Sequence, residues 1–363
     1  MSSSFGKKIT FTVFGQSHSE GIGIVMDGLP PGETIDLVRV NRFMQRRAPG
    51  RNAGDTPRRE ADAVRVLSGL LDGKTCGAPL CGVIENTDVR SGDYAALRDV
   101  PRPGHADYPV QAKCGGAQDR RGGGHTSGRL TAPLCFAGAV CLQILERRGV
   151  CIGAHLQQIA GESERQFSCV ELTQEELLSP GLRDFPVLEP ASEERFRAQI
   201  LAARQSGDSI GGVIECAATG LPPGLGEPMF GGIENRLAAA LFGVPGCRGV
   251  EFGAGFAAAA LRGSQNNDAY CLEGDQIRTK TNQHGGVLGG MATGMPLIFR
   301  IAMKPTPSIA LAQQSVDLAS GEATELRIGG RHDACIAPRA VPVVEAIAAM
   351  ALLDMMEELP WKR

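Results

Sequence analysis

Aromatic residues are scarce: one Trp, three Tyr and 13 Phe make up 5% of 363 residues. Stacking platforms for single-stranded nucleic acid are therefore few. The net charge of −3 leaves no basic excess for a nucleic-acid or anionic membrane surface. There is no C-x-x-C pair among the 11 Cys, and the count is odd. Several sit in apolar contexts, such as Cys135, Cys141 and Cys216. That pattern points to free thiols in a reducing cytoplasm rather than to disulfides or zinc. No apolar run approaches the length of a membrane span. The N-terminal MSSSFGKKITFTVFG lacks a signal-peptide apolar core and reads as a strand. The expectation is a cytoplasmic protein with a small-molecule substrate, no metal, and neither a nucleic-acid nor a membrane partner.

What the chain has in quantity is glycine, 48 residues, and arginine, 30 against 7 Lys. Codon usage accounts for much of an Arg bias. The Arg residues inside Gly-rich motifs still suit bidentate recognition of carboxylate or phosphate. Glycine clusters at 115–128, 207–212, 220–232, 243–255 and 285–294. Such clusters mark tight turns and close approach of backbone to a neighbour.

Periodicity predicts strands over 8–14, 22–26, 78–86, 210–218, 248–253 and 296–303. It predicts helices over 56–72, 129–148, 192–205, 233–242 and 341–358. The first of these rests on Thr56 as cap, Pro57 in the first turn, and Ala61, Val64, Leu67 and Leu71 on one face. Residues 87–128 carry almost no periodic structure, and a polar stretch that long is usually functional. No linker cuts the chain, so 1–363 reads as a single domain with a mixed, layered core of helices and sheet.

Five of the six His, namely His18, His105, His125, His284 and His332, sit among polar or Gly-rich residues; only His155 looks placed for packing. His is the side chain best suited to move a proton near neutral pH. GQSHSEGIG, 15–23, presents Ser17 and His18 after a strand. RRAPGRN, 46–52, sets Arg46, Arg47 and Arg51 around a Pro-Gly turn. In RPGHAD, 102–107, a fixed turn brings Asp107 within reach of His105, which it can orient. DRRGGGHTSGR, 119–129, offers three Gly and then hydroxyls just before a helix, where backbone N–H groups bind anions. It is neither a Walker loop nor a dinucleotide fingerprint. KPTPS, 304–308, follows a strand, and GGRHDAC, 329–335, puts Asp333 beside Arg331 and His332.

Taken in order, these segments resemble the chorismate synthase family along nearly the whole chain. IENTDVRSGDY at 84–94, GDSIGG at 207–212, LRGSQNND at 261–268, GGVLGG at 285–290 and PRAVPVVEA at 338–346 lie between them and add to the match. The resemblance implies an α+β fold, a layered β-α-β sandwich with an internal pseudo-repeat, assembled as a homotetramer. It implies a 1,4-anti elimination of phosphate from 5-enolpyruvylshikimate 3-phosphate, giving chorismate as the last step of the shikimate pathway. Reduced FMN is the implied cofactor. NADPH enters only indirectly, through a separate flavin reductase, since no dinucleotide motif is evident.

Carried over by motif, His18 protonates the leaving phosphate and His105 keeps the flavin suitably protonated. Asp333 helps to remove the C6 proton by way of the flavin. His125, Thr126, Ser127, Gly289, Lys304, Pro305, Thr306, Pro307, Ser308 and Arg331 match the flavin-binding segments. Arg46, Arg47, Arg51, Arg129 and Arg339 match or adjoin the anion-binding positions. The chain departs from the family pattern at 15–19, at Ala334, and at 125–130, where His125 stands for Arg and Leu130 for an acidic residue. Loss of a permanent cation at 125 predicts weaker flavin binding. The alternative is a paralogue that keeps the fold and binds an anionic ligand without turnover.

Overall fold

Two antiparallel sheets face a layer of helices from opposite sides in a computed structural model that describes residues 2–50, 62–86, 99–329 and 332–359. Across the first sheet the strands run Ser4–Phe5, Thr10–Gly15, Gly21–Asp27, Leu80–Glu85, Val64–Ser68. Across the second they run Cys247–Phe252, Leu297–Met303, Gly212–Thr219, Cys151–Ile159, Glu162–Ser163. Helix Thr131–Arg147 packs on strands 21–27 and 80–85, and helix Ala337–Met356 packs on strands 151–159 and 212–219. The two helices pack against each other, so both are apolar on nearly every side. One continuous core runs from Phe11 and Ile24 through Phe136, Val140, Ile347 and Met350 to Leu156 and Phe299.

The two halves repeat one topology. In each sheet the four long strands, taken in chain order, lie first, second, fourth, third. A helix separates the second strand from the third, Leu37–Arg47 in one half and Ile233–Leu241 in the other. A long buried helix then follows the fourth strand. This is the pseudo-repeat that the family resemblance implied. It is invisible as sequence similarity because packing asks only for apolar residues of suitable size at matching places. The helices cross where Gly138 meets Ala346: a Cβ on Gly138 would lie 2.2 Å from the Ala346 Cβ.

Three expectations are corrected. The spacing predicts a helix over 56–72; 56–61 lie outside the described residues, and Val64–Ser68 is a strand paired antiparallel with 80–85. The β-branched Val64 and Val66 point one way with alternating exposure, while Leu67 and Leu71 of the supposed apolar face are exposed. Pairing with a central strand overrides the helical spacing. Within 87–128, where almost no structure was expected, Asp107–Cys114 is a helix. None of its residues is buried, so it has no apolar face to give a periodic signal. Finally, residues 128–147 are in fact long and apolar enough to cross a membrane, but 89% of that window is buried inside the protein. None of the eleven Cys forms a disulfide, and five of them are buried.

Candidate active site

At the helix-layer edge, a cavity of about 960 Å³ opens between the two halves of the chain. That is at the upper end of the range for small-molecule sites. Loops from widely separated motifs form its walls: Gly104–Ala106, Gly122, His125–Leu130, Lys304–Ser308, and His332 with Asp333. Lys7, Arg47, Arg102, Arg129, Arg236, Arg248, Lys304 and Arg339 line it, together with Asp333 and Asp354.

The RPGHAD turn is built around Asp107. Arg102 grips its carboxylate with Nε at 2.7 Å and Nη2 at 2.8 Å, and the Arg102 backbone N–H adds a third bond at 3.0 Å. His105 Nδ1 lies 2.6 Å from Asp107 Oδ1. Burial opposes ionisation of Asp107, but hydrogen bonds and charge from Arg102 and His105 outweigh it and hold the carboxyl far below its usual range. Arg102 Nη2 lies 3.2 Å from the same Nδ1, so Asp107 and Arg102 together fix the ring, with Nε2 on the side facing Gly123. Arg102 also donates to Ser308 at 3.3 Å, and Lys304 Nζ donates to the Gly104 carbonyl. The RPGHAD and KPTPS motifs are thereby locked together. Burial and the neighbouring Arg248 lower the Lys304 pKa.

The triple glycine lies between two histidines. A Cβ at Gly122 would stand 2.3 Å from His18 Cε1, and one at Gly123 would stand 3.1 Å from His105 Cε1. Both glycines have positive φ, +63° and +101°. No other residue permits this backbone against two imidazoles. His18 is buried beneath Gly122 and does not itself line the cavity. The Ser17 N–H donates to the Gly124 carbonyl at 3.1 Å, which stitches the two loops together.

His125 lines the cavity, but its ring is used by the protein. Nδ1 donates to the Gly15 carbonyl at 2.7 Å, and Nε2 lies 2.9 Å from the Ser3 hydroxyl. It therefore anchors the N-terminal segment, whose residues Ser2–Lys7 form part of the cavity wall. This changes the meaning of the departure at 125. Thr126 bonds the Gly123 carbonyl at 2.8 Å, and Ser127 caps the following turn through the Arg129 N–H at 3.2 Å.

Asp333 accepts from Arg339 Nη1 at 2.7 Å, and Arg339 Nε donates to the Arg47 carbonyl at 3.1 Å. Arg47 and Arg129 share a carboxylate that the sequence reading missed, Asp62, with Arg47 Nη1 at 2.7 Å from Oδ2 and Arg129 Nη1 bonded to Oδ1. Burial of Asp62 favours the neutral acid, but the two guanidiniums lower its pKa overall. Asp62 and the bridging role of Arg102 gave no periodic or motif signal. An Asp two residues before a β-branched run, and an Arg opening RPGHAD, were the readable hints.

Of the residues expected here, Arg46 and Gly289 lie elsewhere. Arg46 is turned into the interior, where it pairs bidentately with Glu345 at 2.5 and 2.8 Å. Gly289 belongs to the hairpin of Val287–Leu288 and Met291–Ala292, and it does not line the cavity. Arg51 and Arg331 fall outside the described residues.

The donor set fits an FMN. Thr306 Oγ1 is buried, with no hydrogen-bond partner among the described residues, in a segment that lines the cavity. Hydroxyl-bearing and cationic side chains surround a volume at the upper end of the range for small-molecule sites.

Comparisons with known proteins all point to one family. The family model described as chorismate synthase matches residues 9–356. The chain is 43% identical over 371 residues to the chorismate synthase of Lancefieldella parvula, covering 99% of this chain and 97% of that one. It is 45% identical over 358 residues to that of Thermococcus kodakarensis, covering 98% of each. It is 46% identical over 351 residues to that of Pyrococcus abyssi, covering 96% of each. A crystal structure of chorismate synthase superposes with a TM-score of 0.77 at 28% identity, covering 98% of this chain and 94% of the other. The chain belongs to the chorismate synthase family.

Proposed function

We propose that this chain carries out its family's elimination of phosphate from 5-enolpyruvylshikimate 3-phosphate in the cavity between its two halves. The observation that carries the reading is convergence. His105, residues 125–129, Lys304–Ser308, Asp333, Arg47 and Arg339 are far apart in the chain and border one basic cavity. A substrate with two carboxylates and a phosphate needs such a set of cations.

Arg47, Arg129 and Arg339 are the anion grips, and His18, packed against Gly122 just behind the cavity wall, is the residue that the resemblance assigns to protonating the leaving phosphate. Protonating that group lowers its basicity and makes departure easier. Asp333, fixed by Arg339, is the carboxylate placed to assist removal of the ring proton. His105, its Nδ1 held between Asp107 and Arg102, keeps Nε2 on the side of Gly123. Reduced FMN, when bound, supplies an electron-rich ring that favours the electron-poor state of the substrate. The KPTPS segment with Thr126 and Ser127 is the chain's own contribution to holding it.

Turnover as one domain in a cytoplasmic homotetramer, fed by a separate NADPH-dependent flavin reductase, belongs to the same reading. Solvent exposure of Met229, Phe230 and Phe256 supports association, since exposed large apolar side chains are a feature of protein interfaces. The test is phosphate release from the substrate under anaerobic conditions, with and without photoreduced FMN. Release that depends on the reduced flavin is expected. Tight substrate binding with no release under either condition would replace this reading with that of a fold-retaining binding paralogue.

A further inference from the structure

The proposed anion grips come from two different helices. Arg47 ends Leu37–Arg47, and Arg129 lies in the 3-10 turn Gly128–Leu130 that leads into Thr131–Arg147. Two buried guanidiniums repel each other, and the interior screens that repulsion poorly. Asp62 is fully buried between them and gives one carboxylate oxygen to each. The other contacts are directional. Arg47 Nε donates to Thr131 Oγ1 at 3.0 Å and its Nη2 to the Gly128 carbonyl at 3.1 Å. Arg129 Nε donates to Asn86 Oδ1 at 3.1 Å. Asp62 itself has φ +47°, a left-handed conformation that Asp tolerates better than most side chains. Arg47 and Arg129 line the cavity and Asp62 does not, so the carboxylate holds the pair from behind the wall through directional bonds.

We propose that Asp62 is a positioning residue for substrate binding: it aligns Arg47 and Arg129 as a joint clamp for one anionic group of the substrate. The assignment rests on the proposed function, in which that substrate is a phosphorylated dicarboxylate. Two accounts of Asp62 make opposite predictions. If its negative charge merely opposed the incoming anion, neutralising it would strengthen binding. If it aligns the clamp, neutralising it weakens binding, because an Asn amide presents an N–H to one guanidinium and frees that arm.

The experiment compares wild type, Asp62→Asn, Asp62→Glu and Thr131→Val, each checked for Tm. Titration calorimetry with 5-enolpyruvylshikimate 3-phosphate gives binding, and anaerobic phosphate release with reduced FMN gives KM and kcat. Asp62→Asn is expected to weaken binding and raise KM at least tenfold, with kcat within threefold of wild type. Asp62→Glu, which keeps the charge, should recover most of the loss. Thr131→Val removes another Arg47 anchor without changing charge and should raise KM about threefold; it keeps the clamp testable if Asp62→Asn does not fold. Tighter or unchanged binding in Asp62→Asn, or an unchanged KM in Thr131→Val where Asp62→Asn is insoluble, overturns the proposal. A wild type that binds substrate without releasing phosphate instead refutes the proposed turnover, and the calorimetric comparison then still decides the role of Asp62.

Discussion

Substitution of Gly122 by Ala separates backbone strain from displacement of the proposed proton donor. The new methyl would lie 2.3 Å from His18 Cε1, 2.5 Å from Nδ1 and 2.7 Å from Ser17 Oγ. Carbon contacts relax near 3.5–4.0 Å, so the imidazole must move by more than about 1 Å. A φ of +63° adds roughly 1–3 kcal/mol of strain for a residue with a side chain. At about 2.1 cal/mol/K per residue, unfolding 363 residues carries roughly 0.8 kcal/mol/K, so that strain lowers Tm by only about 1–4 °C. Displacing a reacting group by about 1 Å costs on the order of 10²-fold in rate. The expectation is a folded protein with turnover reduced at least about 100-fold. Gly115 is the control: its φ is +58°, and a Cβ there meets nothing within 4 Å. Gly115→Ala should show the strain part of the fall in Tm, with turnover retained. Anaerobic phosphate release and thermal unfolding on the two variants settle it. Near-wild-type turnover in Gly122→Ala would refute the role of His18.

Other outcomes follow from the same structure. His105→Ala should fold normally and lose about 10²–10⁴-fold in kcat, the usual worth of a proton-handling group; wild-type kcat removes His105 from the chemistry. His125→Arg should fail to tighten flavin binding, because the ring at 125 serves Ser3 and Gly15, and a flavin fluorescence titration showing tighter binding would place the flavin phosphate there after all. Gly138→Ala should destabilise the protein by about 1–3 kcal/mol in chemical denaturation, since the helices cannot part without opening the core. His155 lies buried between Glu164 at 2.6 Å and Glu215 at 3.0 Å. Burial lowers its pKa, but the two carboxylates raise it overall. With a folded pKa above the unfolded value of about 6.5, its contribution is full below that pH and is lost as pH rises through the folded pKa. The stability gap between wild type and His155→Gln should therefore narrow as pH rises from 6 to 10, and a gap that widens refutes the assignment.

The readable parts of the site were the turns and the titratable groups within them. RPGHAD announces its own geometry, because Pro103 and Gly104 fix the turn and Asp107 lies two residues from His105. The helices 131–147 and 337–356 were legible from their apolar composition, as were most central strands from their β-branched runs. Helix Leu37–Arg47 was missed because it buries little beyond Val40, Met44 and the Arg47 stem, although Asp36 caps it through the Val38 and Arg39 N–H groups. Strand Cys151–Ile159 was missed because six of its nine residues are buried with no alternation, and it carries His155 and two Gln. The 64–68 strand was misread because its identity depends on pairing with 80–85, which a local window does not contain.

By itself, the sequence determined which chemistry the chain can hold. Its proton-handling groups, its arginines and its glycine-built turns are local properties, fixed by side-chain pKa and by backbone sterics. The family resemblance then fixed the fold. Only the tertiary structure decided which of those groups meet. Arg46 and Arg47 are neighbours in the chain, yet helical rotation sends one to Glu345 in the interior and the other to the cavity wall. His125 turned from an expected ligand contact into an anchor for Ser3, and Asp62 emerged between two arginines separated by more than 80 positions in sequence. Direction and long-range proximity come from packing two sheets onto one helix layer, a constraint on the whole chain that no short segment encodes.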